Sequence, residues 1–135
     1  VARVAVEPLL WGDEAAARGV LERCGAPDVV IGADVVVWPN YCLPLLQTLR
    51  TVMEPRGAEA YIGYVCRATS TTELLHKCAE DVGLEVEPVP DTSFLPSPRP
   101  ENTVSRRELQ LLRLRLRAQD ASAPAPASVS APAGD

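Results

Sequence analysis

Two hydrophobic periods alternate along this chain, and the points where one gives way to the other divide it into predicted helices and strands. Apolar residues at helical spacing predict helices over residues 14–24, 43–53 and 71–82. Apolar or alternating runs predict strands over residues 4–7, 28–36, 59–66, 84–89 and 112–117. Glycine marks two of the helix ends, at Gly25 and Gly83. Strands that alternate with helices are typical of a doubly wound α/β sheet.

The strand predicted over residues 28–36 is the most apolar segment of the chain. The run from Asp28 to Val36 is too short to cross a membrane and too rich in β-branched residues for a stable helix. A strand that is apolar on both faces is typical of the middle of a parallel sheet with helices on each side. Asp34 then lies near the carboxyl end of that strand, where open α/β sheets bind their ligands. This acidic residue is the strongest functional lead in the sequence.

The segment before the C-terminal tail allows two interpretations. Residues 112–117 alternate strictly between leucine and arginine, which predicts a strand with one buried face and its arginines in solvent. The helical alternative for residues 106–118 stays open, because Glu, Gln, Leu and Arg are all good helix formers. The strict alternation favours the strand.

The composition is that of one acidic domain followed by a low-complexity tail. The chain has 135 residues and a formal net charge of −5, which argues against a nucleic-acid partner, because such a partner normally requires a basic face. From residue 118 it is rich in Ala, Pro and Ser, which predicts a disordered tail over 118–135 after a folded domain over 1–117. No long hydrophobic span and no signal peptide is recognisable, so no membrane partner is expected.

The four cysteines and the single histidine predict no metal site. The spacing of Cys24, Cys42, Cys66 and Cys78 is too wide for a Cys-x-x-Cys zinc knuckle. All four stand in apolar segments, which predicts buried thiols in a reducing compartment such as the cytoplasm. His76 has charged neighbours on its predicted helix and is expected to face solvent.

Two motifs resemble one family of methyltransferases. The run Val30–Val36 (Val-Ile-Gly-Ala-Asp-Val-Val), with Pro39 and the leucine-rich segment 43–49, resembles the fourth strand and next helix of the METTL group (methyltransferase family 16), which comprises lysine-directed, seven-β-strand, S-adenosylmethionine-dependent enzymes. The segment Leu10–Asp13 (Leu-Trp-Gly-Asp) resembles that family's Leu-Asp-Trp-Gly segment after the third strand. The resemblance covers residues 4–117. It implies a Rossmann-like class I methyltransferase sheet that is incomplete, with strands three to seven only and the last strand antiparallel beside the fifth.

The resemblance also implies roles for three residues. Asp34 would be the catalytic residue that orients the lysine amine of a protein substrate and stabilises its charged form. Trp11 would contact the adenosine part of S-adenosylmethionine, and Ala33 would touch this cofactor through its backbone. Each has a structural alternative, namely Asp34 as a turn former, Trp11 as a core residue and Ala33 as a small neighbour of Gly32. Asp13 is expected to cap the first helix rather than to bind a ligand.

Two departures from the family pattern limit the expected activity. Val37 stands where the family has an aromatic residue, so one wall of an aromatic lysine channel is missing. No Gly-x-Gly loop follows a first strand and no acidic residue follows a second, so the methionine and ribose sides of the cofactor pocket are absent from this sequence. We therefore expect the chain alone to be inactive. The strand over residues 28–36 would also lack the first strand as its neighbour, and its open apolar edge is expected to promote self-association. The alternatives are a non-catalytic protein-interaction module and an unrelated doubly wound fold.

Overall fold

Helices and strands alternate along the chain as the hydrophobic pattern predicts. A computed structural model of the protein describes residues 3–95 and 109–118. The helices are α1 (Glu14–Cys24), α2 (Pro39–Met53) and α3 (Thr69–Asp81), the strands are β1 (Val29–Ala33), β2 (Glu59–Val65), β3 (Leu84–Pro88) and β4 (Leu109–Leu116), and a short 3-10 helix at Asp91–Ser93 follows β3. The predicted α/β class is confirmed.

The four strands form one mixed sheet in the order β1-β2-β4-β3. β1 and β2 run parallel, in a register that sets Val29 beside Glu59 and Ala33 beside Gly63. β4 runs antiparallel to both of its neighbours, β2 and β3. The helical alternative for the last segment is therefore wrong, because β4 fills a place in the sheet where its backbone pairs on both sides. Its antiparallel position beside β2 agrees with the expectation for the last strand.

One face of the sheet packs with α2 and α3 into a single hydrophobic core. Side chains alternate along a strand, so every second residue of β2 and β4 points into this core. The buried cluster includes Leu46, Leu49 and Met53 of α2, Leu75, Cys78 and Ala79 of α3, Ala60, Ile62 and Tyr64 of β2, and Leu112 and Leu114 of β4. α1 packs on α2 and fully buries only Ala17.

The opposite face of the sheet carries charged side chains on β2, β4 and β3 and apolar side chains on β1. Arg113 of β4 forms ion pairs with Glu59 of β2 and Glu87 of β3. The predicted arginine face is thus half-buried and paired across strands rather than simply solvated. On β1 the same face exposes 55% of Val29 and 82% of Ile31.

The first helix starts as predicted, whereas the other two start earlier. The Asp13 carboxylate accepts a hydrogen bond of 2.9 Å from the Ala16 N–H, which confirms Asp13 as the N-cap of α1. α2 begins at Pro39 instead of residue 43. Proline suits the first turn of a helix, because the N–H groups of that turn have no helical acceptor and proline has no N–H. Pro44 lies inside α2, where it leaves the carbonyl of exposed Asn40 without its helical donor.

β1 is shorter than predicted, and its position agrees with the expected open edge but not with the prediction from its apolar composition. It ends at Ala33 rather than at residue 36, because Asp34 adopts φ +53°, outside the range of an extended strand. Within the described ranges it pairs only with β2, so it lies at the edge of the sheet, as the expected open edge requires, and not in the middle as its apolar composition predicts. Its apolar residues on the open face consequently meet no second layer of helices there.

The strand predicted over residues 4–7 does not form. Val4 is 90% exposed and Val6 93% exposed, and no neighbouring strand pairs with this segment in the described part of the chain. A lone extended segment has no partner for its backbone groups and cannot count as a strand. The predictions for the loop beyond residue 95 and for the tail beyond residue 118 lie outside the described residues.

The cysteine prediction is correct for two residues and wrong for one. All four cysteines are free thiols. Cys42 and Cys78 are buried, Cys66 is half-buried, and Cys24, the last residue of α1, is exposed. His76 is exposed, as predicted. None of the helices in the described ranges is long and apolar enough to cross a membrane.

Candidate functional site

Asp34 lies at the carboxyl end of β1, in the turn that follows Ala33. Its backbone is in the left-handed region, with φ +53°, which aspartate tolerates better than most residues. Its N–H donates a hydrogen bond of 2.6 Å to the carbonyl of Gly63 on β2. This bond fixes the turn to the neighbouring strand, so the carboxylate is presented at the common end of the two parallel strands.

Arg67 meets Asp34 from the segment that follows β2. Nη1 and Nη2 of Arg67 lie 2.9 Å from Oδ1 and Oδ2 of Asp34, so the guanidinium binds both carboxylate oxygens. Both side chains are about half exposed, at 51% for Arg67 and 49% for Asp34. The pKa of Asp34 lies below its ordinary value because of the hydrogen bond from Arg67, and the backbone of Val65 adds to this effect. The site therefore presents an ionised carboxylate at neutral pH.

The sequence reasoning missed Arg67, although one signal could have found it. Asp34 directly follows the last residue of β1, and Arg67 stands two residues after the end of β2. The carboxyl ends of adjacent parallel strands meet at the same edge of a sheet, so polar residues just beyond them are expected to come together. The predicted order of the strands therefore already indicated the residues just after β2, Arg67 among them, as possible partners of Asp34.

Trp11 packs against the hydrophobic core beside α2. Its ring meets Tyr41 edge to face, with centroids 6.5 Å apart and planes at 79°. The next residue anchors the loop, because the N–H of Gly12 donates a hydrogen bond of 2.8 Å to Oγ1 of Thr48. Gly12 also has φ +87°, which a glycine adopts without strain. The core-packing alternative for Trp11 therefore holds.

Trp11 also lines two adjoining apolar cavities. One, of about 170 Å³, lies between the Trp11 loop and the core side of β1, where Gly32 and Val35 contribute to its wall. The other, of about 270 Å³, lies between Leu9, Leu10, Trp11, Asn40, Tyr41 and Pro44. Each is smaller than the pockets that usually enclose a small molecule. None of the residues that line them carries a charge.

These cavities fit one part of S-adenosylmethionine and not the rest. Their apolar walls suit an adenine ring, but no carboxylate lines them that could hold the ribose hydroxyls. Ala33, expected to touch the cofactor, is exposed and lies outside both linings, as does Asp34. The described residues thus bring Trp11 and Gly32 to one cavity and leave Ala33 and Asp34 beside it.

Close packing around Gly32 favours a residue without a side chain. A Cβ atom at this position would lie 2.8 Å from Cδ1 of Ile62, which would have to shift, and 3.1 Å from Cγ2 of Val35, which is a tight contact. The absence of a side chain therefore lets β1 approach the core residues of β2 and the turn after Asp34. This explains the Gly-Ala-Asp step without any reference to a cofactor.

A hydrogen-bond network supports the segment that carries Arg67. The hydroxyl of buried Tyr64 donates a bond of 2.8 Å to Oε1 of Gln110 and lies 3.0 Å from Oγ1 of Thr72. Sγ of Cys66 lies 3.3 Å from the same threonine oxygen. Burial raises the pKa of the Tyr64 hydroxyl, so it stays protonated at neutral pH. The network ties the first turn of α3 to β2 and β4, directly beside Arg67.

Other parts of the described chain offer weaker candidates. A polar cavity of about 280 Å³ between α1 and α2 is lined in part by Arg18 and Arg50, and both are engaged already, Arg18 by Glu14 and Arg50 by the carbonyl of Val82. In the described ranges no group of His, Cys, Asp and Glu side chains is arranged to hold a metal ion. Comparison with known proteins adds no further candidate, since no protein-family model matches the chain and a search of curated proteins finds no relative.

Proposed function

We propose that residues 1–117 form the carboxyl-terminal part of a Rossmann-like class I methyltransferase domain that acts on a lysine side chain of a protein in the cytoplasm. The strand order carries this proposal. The resemblance implies a last strand that lies antiparallel beside the fifth, and β4 lies antiparallel beside β2, between β2 and β3. The free thiols at all four cysteines are typical of proteins from a reducing compartment.

Asp34 is the proposed catalytic residue. S-adenosylmethionine, when bound, supplies the methyl group, so the protein has to position an amine that has lost its proton. The Asp34 carboxylate stays ionised at neutral pH, because the Arg67 hydrogen bond keeps its pKa low. It would accept a hydrogen bond from the neutral amine, whose proton is released to solvent before transfer, and would stabilise the positive charge that the nitrogen carries before deprotonation and after methylation. A carboxylate is a poor proton acceptor at neutral pH, and the hydrogen bond from Arg67 lowers the pKa of Asp34 further, so the proposed role is to orient the amine.

The proposal divides the cofactor pocket between this chain and residues outside it. Trp11 and the apolar cavity beside Gly32 form the side that receives the adenine ring. The glycine-rich loop and the acidic ribose ligand of such enzymes have no counterpart in the 135 residues. The chain as given would accordingly not transfer methyl groups.

The first test is cofactor binding by the chain itself. Calorimetric titration with S-adenosylhomocysteine should give a Kd of about 1 mM or weaker, corresponding to about −4 kcal/mol or less favourable. Replacement of Trp11 by Ala should weaken the complex of a complete enzyme by about 1–3 kcal/mol, because an apolar stacking surface is lost. Micromolar binding by residues 1–135 would contradict the division of the pocket.

The second test is methyl transfer by a gene product that includes a glycine-rich loop ahead of these residues. Asp34→Ala and Asp34→Asn should each abolish lysine methylation, as measured with radiolabelled cofactor, while the protein stays folded. Asp28→Ala is the matched control, because Asp28 stands just before the same strand and pairs with Arg56 at 3.1 Å. Near-normal turnover by both Asp34 variants would reduce Asp34 to a turn former.

A second candidate function is a non-catalytic module that binds a partner protein. The observation that favours it is the apolar face of β1, with Ile31 82% exposed at the sheet edge. Exposed apolar surfaces of this kind mark interaction sites in many proteins. Methyl transfer that depends on Asp34 would exclude this candidate as the whole function.

A further inference from the structure

The Arg67 guanidinium occupies the place at Asp34 that a substrate cation needs. It binds both oxygens at 2.9 Å and stands at the half-exposed side of the carboxylate. A lysine ammonium that approaches Asp34 therefore finds two lone pairs already used and a positive charge beside them. Binding of such a cation requires Arg67 to release at least one oxygen.

The ion pair between Arg67 and Asp34 is not needed to hold the ends of β1 and β2 together. The turn after β1 is already fixed to β2 by the bond of 2.6 Å from the Asp34 N–H to the Gly63 carbonyl. The backbone of Val65 also contributes to the low pKa of the Asp34 carboxylate, so Arg67 is not the only group that favours its ionised form. An ion pair at this exposure adds little to stability. Its effect falls instead on what else can bind Asp34.

We propose that Arg67 is a specificity-determining residue that competes with free cations for Asp34 and is displaced more readily by a substrate whose other contacts offset the loss of the pair. The inference rests on the proposed function of Asp34 as the amine-binding residue. It assigns to Arg67 the discrimination between a lysine held in a docked protein and a small amine in solution. Removal of Arg67 should therefore admit small amines.

Amine binding by the chain of residues 1–135 tests this role and does not require methyl transfer. The probe is n-butylammonium chloride, titrated against sodium chloride of equal ionic strength and followed by NMR at the amides of residues 34 and 65. Arg67→Met should bind the probe about two- to fivefold more tightly than the wild type, the range expected for loss of a competing exposed ion pair. Arg67→Lys should lie between the two, because it keeps the charge and loses the second hydrogen bond.

Two controls separate the site from general effects of charge. The double variant Arg67→Met/Asp34→Asn should lose the gain, because the receiving carboxylate is gone. Arg18→Met removes an arginine from another exposed pair, with Glu14 at 2.6 Å, and should leave the binding unchanged. An equal affinity in wild type and both Arg67 variants would overturn the role of Arg67, as would a gain that persists in the double variant.

The proposed function has a separate outcome. Asp34-dependent lysine methylation with no change in amine binding upon Arg67→Met would overturn the role of Arg67 and leave the proposed function in place. A gain in amine binding by Arg67→Met, together with no methyl transfer by a gene product that includes the glycine-rich loop, would overturn the proposed function and leave Arg67 as the group that controls access to Asp34.

Discussion

β1 and β4 occupy places in the sheet that their compositions do not suggest. β1, Val-Val-Ile-Gly-Ala, is the most apolar strand, yet among the described residues it lies at the edge with Ile31 82% exposed. β4 carries two arginines, yet it lies between β2 and β3 and buries Leu112 and Leu114 to 1% exposure. The more polar strand is thus the more buried of the two.

The difference shows that apolar content and position in a sheet are set by separate conditions. Leucines on one face of β4 reach the core, and the arginines on its other face find Glu59 and Glu87 on the strands at either side. Both faces of β4 therefore have partners, and only Nε of Arg113 is buried without a hydrogen bond among the described residues. β1 has apolar side chains on both faces, but within the described ranges only one face packs on the core. Only one of its two backbone edges pairs with another strand.

The largest expected effect comes from truncation of a buried side chain of β4. Leu114→Ala should lower the free energy of unfolding by about 2–5 kcal/mol, because it opens a cavity in the core. Ile31→Ala on β1 is the control and should change stability by no more than about 0.5 kcal/mol. Urea unfolding at low protein concentration measures both. Equal losses would mean that the open face of β1 is covered in solution.

A smaller effect is expected on self-association through β1. An exposed apolar edge strand promotes pairing with another copy, so the wild-type chain should associate as its concentration rises. Ile31→Lys should reduce the association constant by about tenfold, equivalent to about 1.4 kcal/mol. Sedimentation velocity gives the measurement. Glu85→Lys, on the strand at the opposite edge, should change it little, and a stable wild-type monomer at high concentration would contradict the prediction.

The smallest expected effect concerns the charged face of β4. The hydrogen bond from Arg113, followed by that from Tyr61, holds the pKa of Glu59 below its ordinary value of 4.5. A depressed pKa in the folded state means that the stabilisation is present above pH 4.5 and is lost as the pH falls through the folded-state value. Glu59→Gln should therefore flatten the dependence of stability on pH below 4.5. Parallel urea titrations of both proteins at several acidic pH values test this, and identical slopes would rule it out.

The fold was predictable where one local pattern was sufficient. The strict alternation of β4 and the cap at Asp13 were correct from sequence, because each depends on residues that are near neighbours along the chain. The predicted start of α2 was wrong. Pro39 and Pro44 are compatible with a loop as well as with a helix, and the burial of Cys42 and Leu45 in the core favours the helix. The apolar composition of β1 predicts the middle of a sheet, which was wrong for the described ranges, whereas the open edge expected from the resemblance agrees with the structure.

The candidate site was predictable in its location but not in its contacts. The place of Asp34 followed from the end of an apolar strand, and the structure agrees. Arg67 is distant in sequence from Asp34, and their bonds depend on the parallel register of β1 and β2. Trp11 and Ala33 were assigned by resemblance alone, and only Trp11 lines a cavity in the described structure.

The left-handed backbone of Asp34 restricts which amino acids can replace it. At φ +53° only Gly, Asn and Asp are accommodated readily, and of these Asp alone is an acid. Glutamate is therefore no substitute at this position, even though it carries the same charge, because its backbone would have to move before its carboxylate could act. Asp34→Gly and Asp34→Asn change the chemistry and keep the turn, whereas Asp34→Ala and Asp34→Glu alter both at once.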